Sequence, residues 1–202
     1  DDGAPDDGTP DIGGDDGDVN VNDDGVELPD FGDPAGAEFT DAVLSPDGRY
    51  LLVQVGEPAC LTVADLQEGT ASAPQGLCGI RWIGFAPHGA VAYLLLASGT
   101  TVATLELADV AVGAEVDTLG EYTTLDVSPD GATVALSNVP TTPWTESEYE
   151  WNTADPGMRR LAVLRPETGT VAELSTPFAL RDVAFSPVDG AVLGVSSRWK
   201  GD

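Results

Sequence analysis

The chain has 202 residues and a formal net charge of -27, because 35 acidic residues stand against only 8 lysines and arginines. Such an acidic surface repels phosphate backbones and anionic lipid headgroups, which argues against nucleic-acid binding and favours a basic protein partner. No apolar run approaches the ~20 residues that span a bilayer, so we predict no transmembrane segment.

Residues 1–36 are rich in Asp, Gly and Pro, and a segment of this composition is predicted to be a disordered acidic spacer. Within it, Asn20, Asn22 and Asp24 approximate the start of a calcium-binding loop. Phe31 stands where such a loop needs a bidentate Glu. The sequence therefore predicts at most weak calcium binding, and no other cofactor.

The rest of the chain, residues 37–202, repeats one short turn between apolar, β-rich runs. In this turn Pro fixes φ, Ser and Asp can form local hydrogen bonds, and Gly accepts a positive φ. A repeat of about 40–50 residues is typical of β-propeller blades, so we expect these turns to be structural. The four copies are Ser45-Pro46-Asp47-Gly48, Ala86-Pro87-His88-Gly89, Ser128-Pro129-Asp130-Gly131 and Ser186-Pro187-Val188-Asp189-Gly190.

The spacing of the turns predicts an all-β fold made of four-stranded blades. Closed propellers have roughly 4–8 blades, and this chain supplies about three and a half. We therefore expect it to form part of a larger propeller, with pairing between two copies as the alternative. The predicted blades are at about 39–78, 80–119, 121–175 and, incompletely, 179–202.

The pattern resembles TolB-type (PD40) β-propeller repeats, which are relatives of WD40 blades, from about Phe39 to Val195. His88 and the inserted Val188 depart from the family form. The acidic N-terminal segment also resembles the spacer that follows the lipid-anchored Cys of bacterial lipoproteins. These resemblances imply a periplasmic, outer-membrane-anchored or secreted protein with a lipid anchor upstream of residue 1. The resemblance is carried by Phe185-Ser186-Pro187, Arg160-Leu161-Ala162-Val163-Leu164 and Thr168-Gly169-Thr170.

Cys60 and Cys78 are the only two cysteines. A hairpin centred near residues 68–70 would place them opposite each other on the two outer strands of the first blade. We therefore predict a disulfide, which would imply an oxidising compartment. The alternative is a pair of unrelated buried thiols.

The least repeat-like part of the folded region is 139–158, between the second and third strands of the third blade. In a four-stranded meander, the loops after strands two and four emerge on one face of the molecule. Trp144, Tyr149 and Trp151 should therefore share a face with Arg198 and Trp199. We predict that this face recognises a protein. The alternative is that the aromatic residues only pack the loop onto its own blade.

Catalytic patterns are absent from the sequence. It contains no Gly-x-Ser-x-Gly, no Cys-x-x-Cys and no phosphate loop, and the single histidine, His88, lies in a repeated turn. We therefore expect no enzyme but a non-catalytic extracytoplasmic propeller scaffold for protein–protein interaction. The alternative is the propeller (lid) portion of a prolyl-oligopeptidase-type serine peptidase whose catalytic domain lies outside this chain.

Overall fold

The computed structural model describes residues 39–138, 159–176, Leu180 and 182–195. These residues form fourteen β-strands, consistent with the all-β prediction. The strands are β1 Phe39–Leu44, β2 Tyr50–Val55, β3 Cys60–Asp65, β4 Thr70–Ser72, β5 Ile80–Phe85, β6 Val91–Leu96, β7 Thr101–Glu106, β8 Ala111–Asp117, β9 Thr124–Val127, β10 Val134–Ser137, β11 Arg160–Arg165, β12 Thr170–Ser175, β13 Asp182–Phe185 and β14 Val192–Val195.

The strands pair only with their sequence neighbours, and every pairing is antiparallel. Sheet one is β1-β2-β3-β4, sheet two is β5-β6-β7-β8, and sheet three is β9-β10-β11-β12. Sheet four contains β13 and β14 among the described residues. Consecutive four-stranded meanders of this kind are the blades of a β-propeller-like fold, which confirms the predicted fold class.

The sheets stack face to face, and both faces of an inner sheet are apolar. In β6, Ala92 and Leu94 pack toward sheet one, whereas Tyr93 and Leu95 pack toward sheet three. This alternation follows from the two-residue period of a strand, and it explains why the apolar run of β6 is continuous. Adjacent blades are therefore joined by a layer of buried side chains.

Polar contacts also cross from one sheet to the next. The hydroxyl of Tyr93 donates to the carbonyl oxygen of Gly131 at 2.8 Å. The backbone N–H of Phe185 donates to the carboxylate of Asp126 at 2.8 Å, which ties sheet four to sheet three. Each contact links residues that are far apart in sequence, so the stacking order is specified by more than apolar burial.

One strand is shorter than its sequence predicts. The first predicted blade extends to residue 78, but its fourth strand, β4, covers only Thr70–Ser72. Pro74 has no N–H to donate, and Gly76 adopts a φ of 82°, so the chain leaves the ladder here. The segment 73–79 is a connection rather than a strand.

The connections lie on two opposite faces of the stack. We call the side that carries the repeated turns the turn face. We call the other side, to which the chain returns after every second strand, the loop face. The described turn-face connections are 45–49, 66–69, 86–90, 107–110, 128–133, 166–169 and 186–191, and the loop-face connections are 56–59, 73–79, 97–100 and 118–123.

The first and third repeated turns contain the same side-chain hydrogen bonds. Ser45 is buried, its hydroxyl donates to the carboxylate of Asp47 at 2.6 Å, and its oxygen accepts from the N–H of Tyr50 at 2.8 Å. In the third turn, Ser128 donates to Asp130 at 2.6 Å and accepts from the N–H of Thr133 at 2.9 Å. The serine side chain therefore stabilises both the turn and the start of the strand that follows.

No helix among the residues that the structure describes combines the length and the apolar character needed to cross a membrane.

Candidate interaction surface

Several predicted site residues lie outside the described residues. These are the calcium candidates Asn20, Asn22 and Asp24 and the proposed recognition residues Trp144, Tyr149, Trp151, Arg198 and Trp199. What the structure does describe is the part of the loop face on which the insertion 139–158 begins and ends.

Both ends of that insertion are fixed to the body of sheet three. The side-chain amide of Asn138 donates to the carbonyl oxygen of Glu121 at 2.9 Å. At the other end, the carbonyl oxygen of Arg159 accepts from the N–H of Thr176 at 2.7 Å and from its hydroxyl at 3.0 Å. The insertion is therefore held at both ends on the loop face.

A polar network fills the seam between sheets two and three on this face. Arg81, at the start of β5, donates through Nη1 to the carbonyl oxygen of Tyr122 at 3.0 Å. Tyr122 is fully buried, and its hydroxyl donates to Oε1 of Glu173 at 2.8 Å. Arg160 forms an ion pair with the same oxygen at 3.4 Å. We call these four residues the arginine seam.

Two glycines lie directly beside the guanidinium groups of the seam. A Cβ on Gly99 would lie 2.7 Å from Nη1 of Arg81, and a Cβ on Gly120 would lie 2.6 Å from Nη1 of Arg160. At Gly99 a larger residue would also meet the carbonyl oxygen of Tyr122 at 2.5 Å, whereas at Gly120 only flexible side chains lie in the way. The backbone of the loop-face connections thus approaches both guanidinium groups closely.

The buried phenol of Tyr122 stays neutral and holds Glu173 in place through its hydrogen bond. Burial raises the pKa of its phenol, and the hydrogen bond to Glu173 raises that pKa further. The neutral hydroxyl is therefore the form present across the physiological range. A phenol held in this way can orient Glu173 but has little tendency to release its proton.

Trp82 follows Arg81 on β5, and 37% of its surface is exposed. It lies near the loop-face end of β5, the strand that also carries Arg81 of the arginine seam. At this point β5 has a bulge between Ile80 and Trp82. Exposed tryptophan and arginine side chains are the types most enriched at the centres of protein interfaces. The pair Arg81 and Trp82 therefore has the chemistry of a binding anchor.

The two faces also differ in charge. The described loop face carries three arginines, Arg81, Arg159 and Arg160, among Glu57, Asp117, Glu121 and Glu173. On the described turn face, the basic residues Arg49 and Arg165 are greatly outnumbered, and Arg49 is already paired with Asp65 at 2.7 Å. The acidic residues of that face include Asp47, Asp65, Glu68, Asp109, Asp130, Glu167 and Asp189.

The predicted disulfide between Cys60 and Cys78 is confirmed, although the pairing geometry differs from the expectation. In the β3–β4 ladder, Val63 lies opposite Ser72, and this register alone would set Gln75 opposite Cys60. The irregular segment 73–77 adds residues, so that Cys78 meets Cys60 in an isolated bridge. The bond therefore fixes the connection that leads into β5 and Arg81.

The turn face shows no comparable site. His88 is exposed and lies in the second turn, and no cluster of metal-ligating side chains occurs among the residues that the structure describes. The glycines of the repeated turns have positive φ, 73° for Gly48, 70° for Gly89, 73° for Gly131 and 68° for Gly190. We interpret Pro46, Pro87, Pro129 and Pro187 together with these glycines as turn formers.

Sequence reasoning did not single out the arginine seam. Its members come from three strands and one connection of two blades, and their proximity depends on how neighbouring sheets pack. One signal was present in the sequence, because an arginine stands five residues before the turn motif in the second and fourth copies, as Arg81 and Arg181. Its meaning is visible only once Arg81 is seen to reach the next blade.

Comparison with known proteins supports the fold and nothing finer. No family model matches the chain, and no curated protein matches it. In contrast, 863 chains of solved structures match, which shows an architecture too widely shared to indicate an activity. One of them is hydrazine synthase from Kuenenia stuttgartiensis, with a TM-score of 0.55 and 18% sequence identity. The match covers 76% of this chain and 40% of that chain, and at this identity it shows the fold alone.

Proposed function

We propose that this chain is a non-catalytic, extracytoplasmic propeller of the TolB type that binds another protein through its loop face. The observation that carries the proposal is the exposed Trp82 beside Arg81, whose guanidinium is hydrogen-bonded to the carbonyl oxygen of Tyr122. A guanidinium that is already held in this way loses little side-chain entropy when a partner binds.

The charge distribution suggests how the partner approaches. The net charge of -27 attracts a basic protein over long distances and increases its association rate. At contact, the loop face offers a tryptophan and arginines instead of the dense carboxylates of the turn face. The proposed partner is therefore basic overall and places an apolar group and a hydrogen-bond acceptor against Trp82 and Arg81.

The location is proposed from the disulfide between Cys60 and Cys78. Stable disulfides of this kind form in oxidising compartments such as the periplasm and the cell exterior. A lipid anchor upstream of residue 1 would be compatible with this location, and it belongs to the same proposal.

The proposal is tested by quantitative capture from envelope extracts of the source cells, with the original chain and Trp82→Ala as baits. We expect one protein to be depleted at least tenfold on the variant, because loss of a central interface tryptophan costs about 2 kcal/mol or more. Val188→Ser serves as the matched control, since Val188 is 92% exposed but lies on the turn face. If both variants capture the same proteins in the same amounts, the loop face is not the binding surface.

A further inference from the structure

The connection 73–79 rejoins sheet one at the disulfide between Cys60 and Cys78. Contacts that do not involve sulfur hold the same place. The N–H of Leu61 donates to the carbonyl oxygen of Leu77 at 2.8 Å, and Leu77 is buried in the apolar layer between sheets one and two. The N–H of the residue after Cys78 donates to the carbonyl oxygen of the residue before Cys60 at 2.6 Å. The two cysteines should therefore stay opposite each other when the S–S bond is opened.

The two cysteines differ in how accessible they are. Cys78 is exposed, and Gly79, which follows it, has no side chain that could shield it. Cys60 is half-buried, and its Sγ lies 3.3 Å from the carbonyl oxygen of Pro58. Thiol–disulfide exchange depends on which sulfur an incoming thiolate can reach. Access therefore favours attack on the sulfur of Cys78, with Cys60 as the group that leaves.

We propose that Cys78 is a reversible thiolation site and that Cys60 resolves the adduct. The thiolate of an external thiol attacks Sγ of Cys78, the S–S bond breaks, and Cys60 leaves as a thiolate that takes a proton from water. Cys78 then carries the incoming thiol as a mixed disulfide. In the reverse step, the thiolate of Cys60 attacks Sγ of Cys78 and releases the external thiol. The exchange conserves the number of disulfides, so neither step needs an oxidant.

The backbone contacts around the bond favour the reverse step. The hydrogen bonds between 59–61 and 77–79 hold Cys60 beside the mixed disulfide on Cys78. A reacting group that is held in this way acts at a high effective concentration. The adduct therefore persists only while the external thiol is in excess, and its removal restores the original bond.

The charge of the chain indicates which thiols suit the site. A thiolate is negative, and the net charge of -27 repels it. An aminothiol such as cysteamine also carries an ammonium group, so its thiolate form has no net charge. We therefore expect aminothiols to react faster than thiols that carry a carboxylate.

The site goes beyond the proposed function, although it lies on the same face. Cys78 belongs to a loop-face connection and stands three residues before Arg81. An adduct on Cys78 would therefore add a group beside the proposed binding surface. The inference itself concerns only the two cysteines, so it holds or fails independently of partner binding.

Exchange on the full, disulfide-bonded chain tests the roles of the two sulfurs. The chain is mixed with cysteamine without denaturant, early aliquots are stopped in acid, and free thiols are blocked with N-ethylmaleimide before peptic peptides are mapped by mass spectrometry. We expect cysteamine on Cys78 and the blocking group on Cys60 about ten times more often than the reverse, because access selects the sulfur. Comparable labelling, cysteamine mainly on Cys60, or no adduct unless urea is added would overturn the proposal.

Removal of the excess thiol tests the resolving role of Cys60. After rapid desalting, the original chain should lose its adduct and regain the disulfide without an added oxidant. Cys60→Ser, loaded on Cys78 with cystamine, is the matched variant and should keep its adduct about ten times longer or more, because it has no resolving thiol. An adduct that persists on the original chain would overturn the proposal, whether or not the variant folds.

The same exchange with 3-mercaptopropionate tests the class of thiol. At equal thiolate concentration and low salt, it should react about three times more slowly than cysteamine, and at about 1 M salt the difference should shrink because charges are screened. Equal rates at low salt would overturn the assignment to aminothiols.

Discussion

The first and third repeated turns differ from the second in one pair of side chains. Ser45 binds Asp47 and Ser128 binds Asp130, whereas the second turn has Ala86 and His88 at these positions. Both members of the pair are replaced together, so neither a buried hydroxyl nor a carboxylate is left without its partner. The serine and the aspartate therefore behave as one unit, and a turn keeps both or loses both.

The second turn keeps its backbone shape without that unit. The N–H of Gly89 donates to the carbonyl oxygen of Ala86 at 2.9 Å, the same bond that Gly48 and Gly131 form in their own turns. The second turn also lies between the other two. Gly89 faces the carboxylate of Asp47, and Gly131 faces Ala86. We infer that packing between turns replaces the missing side-chain bonds.

Alanine substitution at Gly48 and Gly89 tests the packing between the turns, and it has the largest expected effect on the free energy of unfolding. Gly48 and Gly89 have φ of 73° and 70°, so both substitutions force a Cβ into the left-handed region at a cost of about 1–2 kcal/mol. A Cβ on Gly89 would also lie 2.5 Å from the carboxylate of Asp47, whereas one on Gly48 would meet nothing within 4 Å. The exposed Asp47 side chain can rotate away only by giving up its hydrogen bond to Ser45, so we expect Gly89→Ala to cost about 0.5–1.5 kcal/mol more.

Urea denaturation of the two variants measures this difference. Gly48→Ala is the matched control, because it has the same backbone strain but no collision. Equal costs for the two substitutions would show that the turns do not pack against each other, and the explanation for the second turn would then fail.

The serine of the third turn should have the next largest effect. Ser128→Ala removes the acceptor for the N–H of Thr133 and the donor to Asp130, while Ser128 itself is buried. Leaving such groups without partners costs about 1–3 kcal/mol in the free energy of unfolding. Ser72→Ala, at an exposed site on β4, is the control and should stay within about 0.5 kcal/mol. A similar small change for Ser128→Ala would mean that water replaces the hydroxyl.

The same turns show how far sequence reasoning extends. The repeat alone was sufficient to predict the blades, because Pro and Gly set a local geometry that recurs at a fixed period. The disulfide was also predictable, because the turn after β3 brings the chain back beside Cys60, although Cys78 itself lies in the connection after β4. The mutual bond between Ser45 and Asp47 was missed, because either side chain can equally bond to the backbone. The arginine seam was missed for a different reason, since Arg81 and Tyr122 meet only when two blades are stacked.

The smallest expected effect is on the pH dependence of stability, which compares the turns that have a Ser–Asp pair with the turn that lacks one. Hydrogen bonds from Ser45, Ser128 and Ser186 hold the pKa values of Asp47, Asp130 and Asp189 below the ordinary value of 3.8, and backbone N–H groups lower them further. A carboxyl whose pKa is lower in the folded state adds stability above its unfolded pKa. That stability is lost as the pH falls through the folded pKa. The second turn has no aspartate and should contribute nothing.

The triple variant Asp47→Asn, Asp130→Asn, Asp189→Asn should therefore lose less stability than the original chain as the pH falls from about 5 to below 3.8. Protonation of the many other acids relieves charge repulsion in both proteins, so the informative quantity is the difference between their two stability curves. A control with Asp41, Asp109 and Asp117 changed to Asn has the same charge but keeps the Ser–Asp pairs, and its stability curve is the reference for the turn variant. If the triple turn variant follows that same curve, the Ser–Asp pairs add no pH-dependent stability, and the first and third turns are held by their backbone geometry just as the second is.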